Sequence, residues 1–291
     1  MNGGKLTGLV KLNLRAAKLA MTNQWLSPDI YADSYDRLSA KYDSSWRRHI
    51  ETVTIGLLER LETPKVFRIL DLGCGTGLSS RILASKFPEA SVTGIDISKG
   101  MLSVAESMSG SPNVRYQAAD MLAYLEKTEP ESVDMIFSSW AIGYSKPGEI
   151  IAHASRVLRP GGTLAFIVNF ADTLPEVFGA YKRTMIAFSE QMNMAMWPGF
   201  PANRRFLEKH LSGCGFSIEH FRDDHVPINV QRNDEGKILP WLLETGALAG
   251  FDQAMNLDRV NRGSEFFESC LVDVKTLHHH YAEAIGIKNE S

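Results

Sequence analysis

The chain has 291 residues, 44% of them apolar and 22% charged, with a formal net charge of −3. That composition belongs to a soluble globular protein with room for one large domain or a domain plus a cap, and the charge balance argues against nucleic acid as a partner. No apolar run approaches the roughly 20 residues of a membrane span, and basic residues interrupt the N-terminal apolar stretch, so neither a span nor a signal peptide is expected. Cys74, Cys214 and Cys270 lie far apart, with neither disulfide nor metal spacing, which makes a reduced, cytoplasmic setting the expectation.

Residues 1 to about 26 read as an amphipathic helix in which Leu6, Leu9, Val10, Leu14, Ala17 and Met21 can share a face. Its basic residues are Lys5, Lys11, Arg15 and Lys18, and no acid precedes Asp29. The expected role is packing on its own domain; contact with a partner or an anionic membrane surface is the alternative. Residues 30–60 read as two helices carrying Tyr31, Tyr35, Tyr42 and Trp46.

The organising stretch is Ile69 to Gly77, Ile-Leu-Asp-Leu-Gly-Cys-Gly-Thr-Gly. An apolar strand ends at Asp71-Leu72, glycines alternate at Gly73, Gly75 and Gly77, and Leu78, Ile82 and Leu83 follow at helical spacing. Strand, glycine turn and helix open a Rossmann-like nucleotide site, where missing Cβ atoms let a ligand approach the backbone. A dinucleotide site needs Gly-x-Gly-x-x-Gly, but here Leu78 occupies the last position, which disfavours an NAD-dependent dehydrogenase.

The second strand, Ala90 to Ile97, ends in Asp96, an acid placed to accept hydrogen bonds from ribose hydroxyls. Val114 to Asp120 is the third strand and Val133 to Ser139 the fourth, with Ser138 and Trp140 to Tyr144 at its C-terminal end, where open α/β sheets place ligands. A helix over 150–158 leads through Arg159-Pro-Gly-Gly-Thr163 to a fifth strand, Leu164 to Val168. The alternation predicts an α/β fold with a mostly parallel sheet; with the family resemblance given next, the expectation is a Rossmann-like, mostly parallel, seven-stranded sheet with an N-terminal helical lid and a helical cap insertion.

Gly-x-Gly-x-Gly after an acid resembles motif I of the class I S-adenosylmethionine (SAM)-dependent methyltransferases. Arg37 to Asp43 resembles the Ala-x-x-Tyr-Asp signature of the UbiE-like and type 11 group, Asp96 to Met101 its Asp-x-Ser-x-x-Met pattern, Ala119-Asp120-Met121 motif III, and Arg156 to Gly162 its Arg-x-Leu-x-Pro-Gly-Gly turn. The resemblance implies a SAM cofactor held by Asp71, Gly73, Cys74, Gly75, Gly77, Asp96, Ile97, Met101, Asp120, Met121 and Ser138, with Tyr42 as the lid tyrosine. Asp71 would orient the methionine amino group, Ile97 and Met101 would flank adenine, Asp120 would bond its amino group, and Met121 would pack on the ring.

Residues 170–202 form a Met- and aromatic-rich insertion, read as a cap over an apolar or partly apolar substrate. Tyr35, Trp140, Tyr181, Trp197 and Arg204 are the candidate substrate contacts. Family members often carry histidine at the end of strand four; this chain has Gly143 and Tyr144 there, leaving Tyr144 and then His225 as candidate catalytic residues. Leu239 to Gly246 resembles the Trp-x-x-x-Thr-Gly segment of the trans-aconitate type of small-molecule methyltransferase. A helix over 203–211, one or two strands over 216–230, and helix with at most a short final strand over 251–285 complete the chain. His278-His279-His280, read as helical, carries no metal expectation.

The expected organisation is therefore a lid over 1–60, a SAM-binding domain over 61–230, and a C-terminal helical segment over 231–291. The expected activity is methyl transfer to a small molecule by a monomer or homodimer. The alternatives are a SAM-dependent cyclisation or carboxymethyl transfer, or a non-catalytic SAM-binding regulator.

Overall fold

A computed structural model describes residues 2–63, 65–195 and 199–290. Its seven strands are β1 (Arg68–Leu72), β2 (Ser91–Asp96), β3 (Val114–Ala118), β4 (Val133–Ser139), β5 (Leu158–Asn169), β6 (Phe216–Asn229) and β7 (Thr276–Lys288). They form one sheet in the order β3-β2-β1-β4-β5-β7-β6. β1 runs parallel to β2 and β4, with Asp71 opposite Gly94 and Phe137. β7 is antiparallel to β5, pairing Ala282 with Val168.

Alternation along the strands divides the core between the two faces. Leu70, Leu72, Ile136, Phe166 and Val168 pack with Ile150, Ile151, Leu207 and Leu211 from the helices Pro147–Val157 and Arg204–Gly213. Ile69, Met135, Phe137, Ala165 and Ile167 pack with Leu57, Leu58 and Leu83 from the helices Arg48–Glu59 and Leu78–Lys86. Because both faces are covered, β1, β4 and β5 read as near-continuous apolar runs. Arg156 is structural. Its guanidinium donates to Thr128 O at 2.8 Å and Leu125 O at 2.6 Å, tying off the helix Met121–Lys127 before β5 begins.

The chain divides into two compact units. The first comprises Met1–Trp46, Thr173–Trp197 and Pro227–His279; the second comprises Arg47–Asp172, Pro198–Val226 and His280–Ser291. In the first unit the helix Asn2–Met21 packs on the helix Pro175–Ala187, and Pro28–Tyr42 packs on Leu239–Thr245.

The C-terminal region departs from the expected helix. Phe251–Ala254 and Arg262–Ser269 are short helices, after which β7 runs for 13 residues. Ala282-Glu-Ala carries helix-forming residues, but pairing with β5 satisfies the backbone and buries Tyr281, Ala282 and Ala284, so tertiary context overrides propensity. The three histidines consequently alternate. His279 is buried, whereas His278 bonds Glu176 and His280 bonds Asp172.

Candidate active site

The glycine turn is built by the second unit. Gly73, Gly75 and Gly77 have φ of +68°, +54° and +77°, a region unfavourable to side chains. The Gly73 and Cys74 N–H groups donate to Ile95 O at 2.7 and 3.0 Å, which ties the turn to the end of β2. The glycines answer to different neighbours. A Cβ at Gly73 would stand 2.1 Å from Ala141 Cβ, and one at Gly77 would stand 2.3 Å from the Tyr116 hydroxyl oxygen. A Cβ at Gly75 would meet no described atom within 4 Å. Protein packing thus accounts for Gly73 and Gly77; at Gly75 the backbone is left approachable.

Asp96, at the C-terminal end of β2, is held by both carboxylate oxygens. Oδ2 accepts from the Gly75 N–H at 2.8 Å and Oδ1 from the Ser98 N–H at 2.9 Å. These two backbone donors fix the orientation of the carboxylate at the end of β2. Asp120 caps the next helix, accepting from the Ala123 N–H at 2.8 Å, and Met121 brings its methyl group within 3.4 Å of the Cβ position of Gly73. Ile97 is half-buried beside Asp96.

Asp71 is fully buried on β1. Its Oδ2 accepts from Ser79 and Ser80 hydroxyls, each at 2.6 Å, while Oδ1 has no hydrogen-bond partner among the described residues. Burial pushes its pKa up to about 6, against the lowering effect of the two serines, and the Asp96 charge adds to the rise. Keeping Asp71 ionised above that pH costs stability, and a cation beside Oδ1 would offset the cost. Cys74 lies in the same place; burial pushes its thiol well up, with Asp96 and Asp71 adding, which disfavours the thiolate.

Gly75, Asp71 and Asp96 thus bring an approachable backbone, a buried carboxylate oxygen and a firmly held carboxylate to the C-terminal ends of β1 and β2, where open α/β sheets bind nucleotides.

Comparison with known proteins agrees. A family model described as "Methyltransferase domain" matches residues 69–162. A trans-aconitate 2-methyltransferase from Acidovorax sp. (strain JS42) is 33% identical over 202 residues, covering 66% of this chain and 72% of that protein. The chain belongs to the class I SAM-dependent methyltransferases. A malonyl-[acyl-carrier protein] O-methyltransferase from Paenibacillus sp. (strain JDR-2) is 28% identical over 204 residues, 68% of this chain and 69% of that one. Another such enzyme, from Halalkalibacterium halodurans, is matched over only 43% of its own length. Among solved structures, the YcgJ protein of Bacillus subtilis shares the fold, with a TM-score of 0.56 at 19% identity over 82% of this chain and all of that one.

Several expected site residues of the methyltransferase have other work. Ser138 is buried, and its hydroxyl donates to Leu72 O at 2.7 Å, fastening β4 to β1. Met101 is 2% exposed, because the third residue of the helix Lys99–Ser107 turns inward; it is core. Trp140, at φ +64°, donates its indole N–H to Thr54 at 3.0 Å and lies 5.2 Å from the Tyr281 ring. Arg204 pairs with Glu208 at 2.7 Å and covers the Phe221 ring at 4.6 Å. Tyr144 ends the turn Ile142–Tyr144, edge-on to Phe200 at 5.4 Å.

His225 is displaced as a catalytic base. It sits on β6, the sheet edge, separated from β4 by β5 and β7, a lateral distance of roughly 14 Å at the usual strand spacing. Its ring stacks on His280 at 4.0 Å. His280 bonds Asp172 at 2.6 Å and Asp223 at 2.7 Å. Burial alone would lower the His280 pKa, but those carboxylates outweigh it and raise it. Sequence reasoning missed this cluster because it treated β7 as helix.

Tyr35, Tyr42 and Tyr181 belong to the first unit. Tyr35 and Tyr42 meet edge-on at 6.1 Å, and both border Gly246, whose Cβ position lies 3.3 Å from one ring and 3.6 Å from the other. The tyrosine signature and the Trp241-x-x-x-Thr245-Gly246 segment, read separately in sequence, are therefore neighbours. Tyr181 is a correction: it is 2% exposed, its hydroxyl donates to Phe251 O at 2.9 Å, and it serves the core rather than a substrate. Trp197 lies outside the described residues.

Proposed function

We propose that this methyltransferase transfers the methyl group of SAM to a carboxylate oxygen of a small organic acid with an apolar portion. The observation that carries this reading is the makeup of the β4 end. From Ser139 to Lys146 the chain offers no histidine, aspartate or glutamate, and His225 stands on the far edge of the sheet. An acceptor hydroxyl needs a base; a carboxylate is already ionised near neutral pH and needs only to be held in line. Trans-aconitate and malonyl groups, the acceptors named for two relatives, are both carboxylic acids.

SAM, when bound, supplies a methyl group on a sulfonium sulfur, activated without further help from the protein. The chain's own residues would bind and orient. Asp96, held rigid by the Gly75 and Ser98 N–H groups, would accept the ribose hydroxyls. Asp71 would face the positive methionine end with Oδ1, and the cation would favour its ionised form. Ile97 and Met121 would border the adenine, with Asp120 accepting from its amino group.

The test is turnover with methyl-labelled SAM and a panel of di- and tricarboxylic acids, their amides, and amines. We expect label in base-labile methyl ester, with a kcat that is flat from about pH 7 to 9 because no base must be unmasked. Label in a base-stable product, or a rate climbing with pH across that range, would contradict carboxylate transfer.

A further inference from the structure

The first helix, Asn2–Met21, has two apolar stripes on opposite sides. The inner one includes Gly8, Leu12 and Leu19 and packs within the first unit. A Cβ at Gly8 would stand 2.8 Å from Ile186, Leu19 is 1% exposed, and Arg15 donates to Met192 O at 2.9 Å. The outer stripe consists of Leu6, Val10, Leu14, Ala17 and Met21, at spacings of three and four residues. Leu6 and Leu14 are each 67% exposed, Val10 52% and Met21 81%, and Trp25, just past the helix, is 46% exposed. Packing on its own domain therefore explains only half of the helix.

Charge selects the occupant of the outer stripe. Lys11 and Lys18, both exposed, lie along one flank of it. The first 28 residues hold four basic side chains and no acid, in a chain whose net charge is −3. A second copy of this chain would bring its own Lys11 and Lys18 to the same face, where like charges repel. An anionic bilayer surface complements both features: it takes leucine, valine and methionine into the acyl boundary and places lysines and a tryptophan at the headgroups. No helix among the described residues is long and apolar enough to cross a membrane, so the mode is lying on the surface.

We infer that the outer face of the first helix docks the protein on anionic phospholipid. The test is vesicle flotation of the full chain with phosphatidylcholine alone and with phosphatidylcholine containing about a third phosphatidylglycerol. At least about tenfold more protein should float with the anionic vesicles, and high salt should release much of it. Val10→Glu with Leu14→Glu should abolish the difference, and so should Lys11→Glu with Lys18→Glu, which leaves the apolar stripe intact. Equal flotation on both vesicles, or anionic binding retained by both double variants, would overturn the inference. So would absent flotation, with sedimentation showing a dimer that Val10→Glu with Leu14→Glu dissolves; that result would assign the face to self-association. None of these outcomes depends on which acceptor the enzyme methylates.

Discussion

Alanine at position 75 is expected to weaken SAM binding at least about a hundredfold, close to 3 kcal/mol, while costing the fold only about 1–2 kcal/mol. The two numbers separate because Gly75 has a φ of +54° but no described atom within 4 Å of its Cβ position. The strain of a left-handed alanine falls on the protein, and the steric obstruction falls on the ligand. Gly73→Ala should behave oppositely. There the new methyl group would stand 2.1 Å from Ala141 Cβ, so β1 and the β4 end must part and the melting temperature should drop before binding is measurable. Titration calorimetry beside thermal melts of both variants checks the contrast. Unchanged affinity in Gly75→Ala would mean that the ligand does not approach the backbone there.

Acid should destabilise the first unit through one histidine. His279 is 2% exposed, lies 5.4 Å from the Trp46 ring, and has its pKa lowered to about 3 by burial. In the unfolded chain the ordinary value, near 6.5, applies. Between those values the unfolded state binds more protons, so stability falls as pH falls through the window from about 6.5 toward 3. From pH 7 to pH 4 this single group should remove about 3 kcal/mol. His279→Leu, a buried side chain that cannot be protonated, should flatten the pH dependence by about that amount even if its stability at pH 7 is lower. Urea unfolding followed by tryptophan fluorescence at both pH values measures it; an unaltered pH slope would show that His279 does not set the acid sensitivity.

The contrast between these two residues also shows what sequence can carry. The turn at Gly73 to Gly77 was legible because its determinants are local: an apolar run, an acid, alternating glycines, then helical spacing. The positions of Asp96 and Asp120 in the fold were legible for the same reason: Asp96 ends β2, and Asp120 caps the helix Met121–Lys127. The parallel part of the sheet, β1 to β5, followed from alternation of strand and helix. His279 was illegible because its burial depends on β7, and β7 exists through pairing with β5 more than a hundred residues earlier. Ala282-Glu-Ala-Ile-Gly-Ile gives no strong local preference against helix, and once helix was assumed the alternation of the three histidines disappeared. Ser138 and Met101 mark a subtler limit. Family pattern places them beside the cofactor, yet whether a hydroxyl at a strand end donates across the sheet, or a methionine on a first turn faces in, is settled by neighbours distant in sequence. Likewise the amphipathic reading of the first helix caught one apolar face without revealing that a second one does the packing.

The proposed methyl transfer rests on one assignment, that the glycine turn after β1 and the acid closing β2 would together hold an adenosyl sulfonium. Titration calorimetry of the full chain with SAM, its demethylated product and NAD, repeated on Asp96→Lys, tests it most directly. Saturable heat is expected with the first two ligands, none with NAD, and loss of both signals in the variant. Saturable NAD binding without SAM binding, or an Asp96→Lys variant that binds SAM as tightly as the parent, would contradict it.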